Sequence, residues 1–223
     1  MNAEATTNNQ KRNSVLTWLF NPFYYLAGGQ SLAMGIVVLG LCCLFGMITN
    51  SHFDGVLDFH VGAEAPWWFF WLESPIDWLI MGILLFIGGK LLSKSKVRAI
   101  DVFGTQALAR FPALLMVLTQ LPPVVRTAAL RVSNTMLKMS PQLAPQADNG
   151  IADASALDVV LFGGSVLLVL VMLVWMLVLM YRAYAVSCNV KGAKAILLFI
   201  GLLLVGEIVS KIIILGILSA SGL

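Results

Sequence analysis

Two charged residues interrupt the apolar carboxyl-terminal stretch from Ala195 to Leu218. Glu207 and Lys211 lie four residues apart with the acid first, so a helix places them on one face, where they can pair as ions. At 1.5 Å per residue, Glu207 lies roughly 18 Å along this helix from Ala195, near the middle of a hydrocarbon core. An ionisable pair at that depth indicates either an ion or proton site at the centre of a bundle or a structural pair that ties the helix to its neighbours.

The only two histidines of the chain lie in one short segment that also contains two aspartates. In an extended strand, alternate side chains face the same way, so one face would carry His52, Asp54, Asp58 and His60. Imidazoles and carboxylates are ligands for divalent transition metals such as zinc or manganese. The spacing matches no established metal motif, and the alternative is a solvated, amphipathic loop that rests its phenylalanine face on a membrane.

A third group of candidate residues is the basic connection that contains Lys90, Lys94, Lys96 and Arg98. Cations beside a membrane attract anionic lipid headgroups, at about 1 kcal/mol for each cation near the surface. The simpler interpretation is that these residues set the orientation of the protein in the membrane, and the two roles are compatible.

The sequence contains no motif for the common types of catalytic chemistry. A nucleophile elbow, a glycine-rich phosphate loop and a metalloprotease helix are all missing. No basic tract indicates nucleic-acid binding, and three cysteines (Cys42, Cys43 and Cys188) form neither a disulfide framework nor a metal knuckle. We therefore expect no enzymatic activity and no cofactor, and we interpret the cysteines as small apolar packing residues.

The elements that must position these residues are membrane helices. Hydrophobic residues make up 59% of the 223 residues, charged residues only 11%, and the mean hydropathy is +0.90. Because a soluble domain carries about 25% charged residues, this composition indicates an integral membrane protein with lipid as its main solvent.

Five apolar runs are long enough to span a bilayer, which predicts an all-α bundle. They lie near residues 31–49, 76–93, 107–125, 157–181 and 195–218. Residues 31–223 then form the membrane domain, and residues 1–30 form a tail with an aromatic segment at the membrane surface. The third run contains Pro112 and ends at Pro122-Pro123, so its helix is predicted to be kinked or to stop early. Residues 140–155 have the composition of a solvated linker.

The distribution of lysine and arginine orients this bundle. Basic residues precede the first span and fill the second-to-third and fourth-to-fifth connections, whereas the first connection carries none and has four acidic residues. Because cytoplasmic connections accumulate lysine and arginine, the amino terminus is predicted to be cytoplasmic and the carboxyl terminus to lie outside. Arg126, Arg131 and Lys138 in the third connection count against this orientation but are outnumbered.

The order of several motifs resembles the Yip family of membrane proteins, in its bacterial branch. The matching residues are Phe20-Asn21-Pro22-Phe23, Asp101-Val102-Phe103-Gly104, Ala107-Leu108-Ala109-Arg110-Phe111-Pro112, Trp175 and the lysine-bearing link into the last span. The resemblance covers most of the chain. It implies a five-helix domain with a cytoplasmic amino terminus, in a bacterial inner membrane.

The resemblance implies fold more than function. Eukaryotic members are similar to adaptors for prenylated Rab-type GTPases, but bacteria lack that trafficking system, so Rab binding is not carried over. We expect a non-enzymatic protein that organises membrane or serves as a scaffold for a protein partner. Asp101, Arg110 and Pro112 match the family's motif and are candidate partners for each other or for a cytosolic protein. The alternative is a small transporter or ion-coupled carrier centred on Glu207 and Lys211.

Overall fold

Five long apolar helical segments dominate the computed structural model, which describes residues 15–62, 64–140, 142 and 144–221. Each segment is long and apolar enough to cross a membrane, and in lipid a helix satisfies its own backbone hydrogen bonds. The segments are Gly28–Thr49, Trp67–Leu92, Ala99–Leu118, Ala156–Ser187 and Ala193–Ala220. The prediction of a mainly helical protein with five apolar helical segments long enough to span a membrane is confirmed.

Smaller elements join these spans. A short helix, α1 (Val15–Phe20), precedes the first span, and the strands β1 (Ser51–His52) and β2 (His60–Val61) form an antiparallel pair after it. The spans are α2 (Gly28–Thr49), α3 (Trp67–Leu92), the consecutive helices α4 (Ala99–Leu108) and α5 (Phe111–Leu118), α7 (Ala156–Ser187) and α8 (Ala193–Ala220). Helix α6 (Pro123–Met139) lies between the third and fourth spans.

Helices α2 and α4 run parallel and in close contact, because glycines remove side chains where they meet. A Cβ atom at Gly35 would lie only 2.7 Å from the backbone nitrogen of Leu108. One at Gly104 would lie 2.7 Å from the carbonyl oxygen of Gly28. The backbones therefore approach each other closely along most of α4, which is typical of small-residue packing in membranes.

Helix α8 packs antiparallel against α3. Gly88 of α3 faces Leu202 of α8, and Gly206 of α8 faces Met81 of α3. The amino-terminal ends of α2, α4 and α8 and the carboxyl-terminal ends of α3 and α7 therefore meet at one end of the bundle, which we call the basic end. The opposite end carries the connection between α2 and α3, and we call it the loop end.

The third span lies earlier in the chain than the sequence predicted. We expected residues 107–125, whereas the helical segment is Ala99–Leu118 and breaks at Ala109 and Arg110 between α4 and α5. Pro122 and Pro123 begin α6 instead of ending the span. The reason is that polar residues of α4 find partners inside the protein: Gln106 donates from Nε2 to the Met180 carbonyl oxygen at 2.9 Å.

The second span is longer than the predicted 76–93, because α3 begins at Trp67. The aromatic run at Trp67 to Trp71 forms the first turns of this helix, and Pro75 lies within it. The additional turns carry Glu73 into the protein interior, where Asp77 of the next turn is buried as well. The other three helices extend the predicted spans by a few residues.

The segment between α6 and α7 is tied to both helices. Asn134 of α6 donates to the Asp148 carbonyl oxygen at 2.9 Å and accepts from the Asp148 amide at 2.8 Å. Ser155 caps α7 by accepting from the Asp158 amide, while the Asp158 carboxylate accepts from the Ser155 amide at 2.9 Å. This reciprocal capping box fixes the start of α7.

The amino-terminal aromatic segment packs on the bundle. Trp175 of α7 donates from its indole nitrogen to the Leu19 carbonyl oxygen at 2.9 Å, and Trp18 stacks on Tyr25 with ring centroids 4.4 Å apart. Part of the predicted tail, residues 1–14, lies outside the described residues. Pro22 and Trp175 line the same cavity, so the amino-terminal segment and α7 contact one patch of the bundle.

The three cysteines pack inside the bundle, as predicted. Cys42, Cys43 and Cys188 are free and buried. Cys188 lies just after α7, where its thiol donates weakly to the Leu85 carbonyl oxygen at 3.9 Å. Burial raises the pKa of this thiol to about 12, so it is protonated and unreactive at neutral pH.

Candidate functional site

The connection between α2 and α3 folds into the bundle at the loop end. We call residues 50–62 the histidine loop. It begins where Asn50 ends α2 in the left-handed conformation (φ 52°), which asparagine tolerates well. Phe53 and Val56 are buried, and Gly55 lies against the carboxylate of Glu207. Non-helical backbone at this depth is tolerated because it is buried in protein.

Glu207 and Lys211 bind this loop as well as each other. Lys211 Nζ lies 3.4 Å from Glu207 Oε1, so the predicted pairing within α8 is confirmed, and 2.7 Å from Asp58 Oδ2. Glu207 Oε2 accepts a hydrogen bond from the Leu57 amide at 2.8 Å. The structure thus joins two groups that the sequence presents separately, the charge pair and the histidine loop, and this geometry ties the loop to α8.

Asp58 is the member of this contact that lies outside the helices. Burial raises the pKa of its carboxyl, but Lys211 and then His60 lower it by more, so that the pKa lies below its ordinary value. The carboxylate is therefore ionised at neutral pH. The ion pair with Lys211 is the principal interaction of the Asp58 carboxylate, which therefore faces α8.

The two histidines oppose each other in the short sheet, and they contact different carboxylates. His52 pairs with His60 in register, and their ring centroids are 5.6 Å apart. His52 Nδ1 lies 2.8 Å from Glu73 Oε1, whereas His60 lies between two aspartates, with Nδ1 3.5 Å from Asp58 Oδ1 and Nε2 3.7 Å from Asp54 Oδ2. The expected extended strand is thus wrong, because residues 53–59 turn back between the two strands. The turn nevertheless keeps both imidazoles at one place.

A buried group of polar side chains lies deeper in the bundle. Arg110, from the break between α4 and α5, places Nη1 4.0 Å from Asp77 Oδ2, and both side chains are almost completely buried. Within the part of the chain that the structure describes, both Asp77 oxygens, Arg110 Nη2 and the Ser210 hydroxyl have no hydrogen-bond partner. We call Asp77, Arg110 and Ser210 the polar centre. A buried ion pair with unmet hydrogen bonds is costly, and ionisable groups of this kind inside membrane proteins mark functional sites.

The residues of the Asp101 to Pro112 motif are separated by the structure. Asp101 Oδ2 lies 3.5 Å from Arg98 Nε near the basic end, whereas Arg110 is buried beside Asp77. Pro112 is buried in the first turn of α5. Asp101 and Arg110 therefore do not pair with each other, as one alternative had predicted. Because Arg110 is buried, it is also not accessible to a cytosolic protein.

A basic pocket of about 350 Å³ opens at the basic end. We call it the lysine pocket: Lys94 follows α3, Lys191 and Lys194 lie at the start of α8, and Ser95 and Asn189 complete the polar wall. Asn189 donates to the Ser95 hydroxyl at 2.8 Å. Of the four predicted lipid-binding cations, Lys94 lines this pocket, Lys90 lies 4.5 Å above the Phe86 ring, Arg98 pairs with Asp101, and Lys96 is exposed.

Sequence reasoning missed Glu73, Asp77 and Ser210 as site residues. Glu73 and Asp77 have the same four-residue spacing as Glu207 and Lys211, and that spacing on an apolar helix was the available signal. Both residues were assigned to the outer connection or the membrane interface because the second span was placed too late in the chain. Ser210 has no comparable signal, since lone serines are common in membrane helices.

No family model, no curated protein and no solved structure matches the chain.

Proposed function

We propose that this protein is a non-enzymatic, five-span membrane protein of the Yip type that organises a bacterial inner membrane by holding anionic lipid headgroups at its basic end. The observation that carries this proposal is the lysine pocket. The resemblance in motif order supports the class of protein, and the pocket supports the ligand. A scaffold for a protein partner is compatible with the same arrangement.

The charge of the pocket suits a lipid phosphate. Three lysines line it, and each contributes about 1 kcal/mol toward an anionic surface, so three favour an anionic over a neutral headgroup by about a hundredfold. The Ser95 and Asn189 side chains add hydrogen-bonding groups at the wall. The three lysines come from two separate connections, so the folded bundle assembles a set of cations that neither connection has alone.

The orientation follows from the same residues. The connections at the basic end hold the lysines that the positive-inside rule assigns to the cytoplasm, and we propose that this end, with α1, is cytoplasmic. The carboxyl terminus and the histidine loop then lie at the opposite face. The anionic leaflet and the lysine pocket are on the same side in this arrangement.

The test compares stability in lipid nanodiscs made of phosphatidylcholine alone or with phosphatidylglycerol. We expect the anionic lipid to raise the unfolding temperature of the wild type, and the rise to be largely lost in the double variant K191Q/K194Q. The matched control is K138Q, because Lys138 pairs with Asp153 near the start of α7 and is far from the pocket in the chain. Equal responses of the pocket variant and the wild type would refute the proposal.

The polar centre favours a second candidate, an ion-coupled carrier. Asp77 and Arg110 form a buried, incompletely bonded ion pair, the kind of group that marks ion and proton pathways in membrane proteins. Glu207 and Lys211, on which we expected a carrier to be centred, are instead bound to the histidine loop. The centre of a carrier would therefore shift from Glu207 to Asp77.

Proton and cation flux in liposomes separates the two candidates. For a lipid-organising protein we expect no flux from the wild type, E207Q, K211M or D77N, and only changes in stability. A wild-type flux that D77N abolishes, with the fold intact by circular dichroism, would replace the first proposal with the carrier.

A further inference from the structure

We propose that His52, His60, Asp54 and Glu73 form a binding site for a divalent transition-metal ion at the loop end. The site combines three residues of the histidine loop with one residue of α3, and it is separate from the lysine pocket and from the function proposed above. It differs from the sequence-based hypothesis in one ligand, since Glu73 replaces Asp58.

Three of the four side chains have their ligand atoms close together, and the fourth, His60, adjoins them. Ligand atoms of His52, Asp54 and Glu73 all lie within 4.8 Å of one another. His60 is added by the sheet register, which sets it opposite His52, and its Nε2 atom lies 3.7 Å from Asp54 Oδ2. The ligand atoms around a tetrahedral zinc ion are roughly 3.4 Å apart, given bonds of about 2.1 Å, so shifts of about 1 Å bring His52, Asp54 and Glu73 to that spacing. Rotation of the partly exposed His60 side chain completes the site.

The backbone of the loop leaves room for this arrangement. Gly62 lies beside both imidazoles, and a Cβ atom there would be 2.8 Å from His52 Cδ2 and 3.2 Å from His60 Nε2. The absence of a side chain at this position allows the two rings to face the same space. The carbon Cδ2 adjoins Nε2 in the imidazole ring, so the Nε2 edges of both rings lie near Gly62.

The ligand set selects the class of metal. Two imidazoles with two carboxylates suit zinc or manganese, whereas calcium and magnesium prefer oxygen ligands alone. The hydrogen bond between His52 Nδ1 and Glu73 Oε1 at 2.8 Å serves such a site in either of two ways. Glu73 binds the ion directly, or it orients His52 so that Nε2 binds, as carboxylates do in many zinc sites.

Burial makes one side of the site rigid and leaves the other open. His52 and Glu73 are buried, with His52 stacked on Phe70 at a centroid distance of 4.7 Å. Asp54 and His60 are partly exposed and provide the entry path for the ion. Asp58 holds His60 in place instead: its Oδ2 lies 2.7 Å from Lys211 Nζ, and its Oδ1 lies 3.5 Å from His60 Nδ1. A bound ion would lock the histidine loop onto α3, in addition to its attachment to α8.

The test uses the full-length protein in detergent, with any affinity tag removed and metal stripped by EDTA. Titration with ZnCl2, followed by calorimetry and thermal unfolding, should give one ion per chain and a rise in the unfolding temperature. Cobalt(II) provides an independent readout, since tetrahedral coordination gives an intense visible absorption band. We expect H60A and D54N to lower zinc affinity by about tenfold or more and to remove the cobalt band.

These two positions are chosen because they are partly exposed, whereas H52A removes a packed ring and endangers folding. The matched control is E64Q, which changes an exposed carboxylate close to the loop and should bind zinc as the wild type does. Failure of the wild type to bind one equivalent of zinc would overturn the proposal. Wild-type affinity in the H60A/D54N double variant would overturn it as well.

Discussion

Replacing Gly35 by alanine tests the packing of α2 on α4. The added Cβ would lie 2.7 Å from the backbone nitrogen of Leu108 and 2.8 Å from the carbonyl carbon of Ala107. The Cβ atom of Ala107 lies closer still, and ordinary contact begins near 3.4 Å, so the two helices must separate by at least about 0.7 Å. All three neighbours are atoms of α4 and have no rotamer to change, so we expect the full penalty of overpacking, roughly 1–3 kcal/mol.

Gly40 provides the matched control on the same helix. A Cβ atom at Gly40 would meet nothing within 4 Å. Both substitutions gain the helix propensity of alanine over glycine, up to about 1 kcal/mol, so this gain cancels when the two variants are compared. We therefore expect G35A to be less stable than G40A by roughly 1–3 kcal/mol, the overpacking penalty alone.

The assay is reversible unfolding in mixed micelles with increasing dodecyl sulfate, followed by circular dichroism and tryptophan fluorescence. G40A should unfold at or above the wild-type denaturant fraction, and G35A well below it. Equal stabilities of G35A and G40A would show that α2 and α4 are not in backbone contact.

Two further predictions concern the loop end. Because the folded-state pKa of Asp58 lies below its unfolded value of about 3.9, the stability it contributes is present above that pH and is lost as the pH falls through the folded-state pKa. The difference in unfolding temperature between wild type and D58N should therefore shrink below about pH 4, and a pH-independent difference would contradict this. Loss of the α7 capping box in S155A should cost about 0.5–2 kcal/mol, measured by the same unfolding assay. S165A is the control, because Ser165 bonds only within its helix at the Phe162 carbonyl; equal losses in both variants would argue against the cap.

The number of spans could be predicted because lipid contact demands long apolar runs, and α2, α7 and α8 are exposed along most of their length. The third span was predicted too late in the chain because it has little contact with lipid. Of its window, 72% is buried inside the protein, where Thr105 and Gln106 find partners that lipid would not give them. Hydropathy measures preference for lipid, so it misplaces a helix that is surrounded by other helices.

The candidate sites show the same limit. The pairing of Glu207 with Lys211 follows from local helix geometry, which a single sequence contains. The contacts of Glu207 with Leu57 and of Arg110 with Asp77 join residues far apart in the chain, and no local spacing indicates them. Glu73 became a candidate ligand only when the beginning of α3 was known. Because α3 begins at Trp67, Glu73 lies on this helix and its carboxylate contacts His52.

The contact between the histidine loop and α8 also determines when this protein can finish folding. The Leu57 amide and the Glu207 carboxylate that accepts its hydrogen bond are separated by 150 residues. During synthesis the loop leaves the ribosome long before α8, so its amide and Asp58 wait while the intervening helices are made before they reach their partners. Helix α8 thus completes the connection between α2 and α3 only after α3 to α7 have been synthesised.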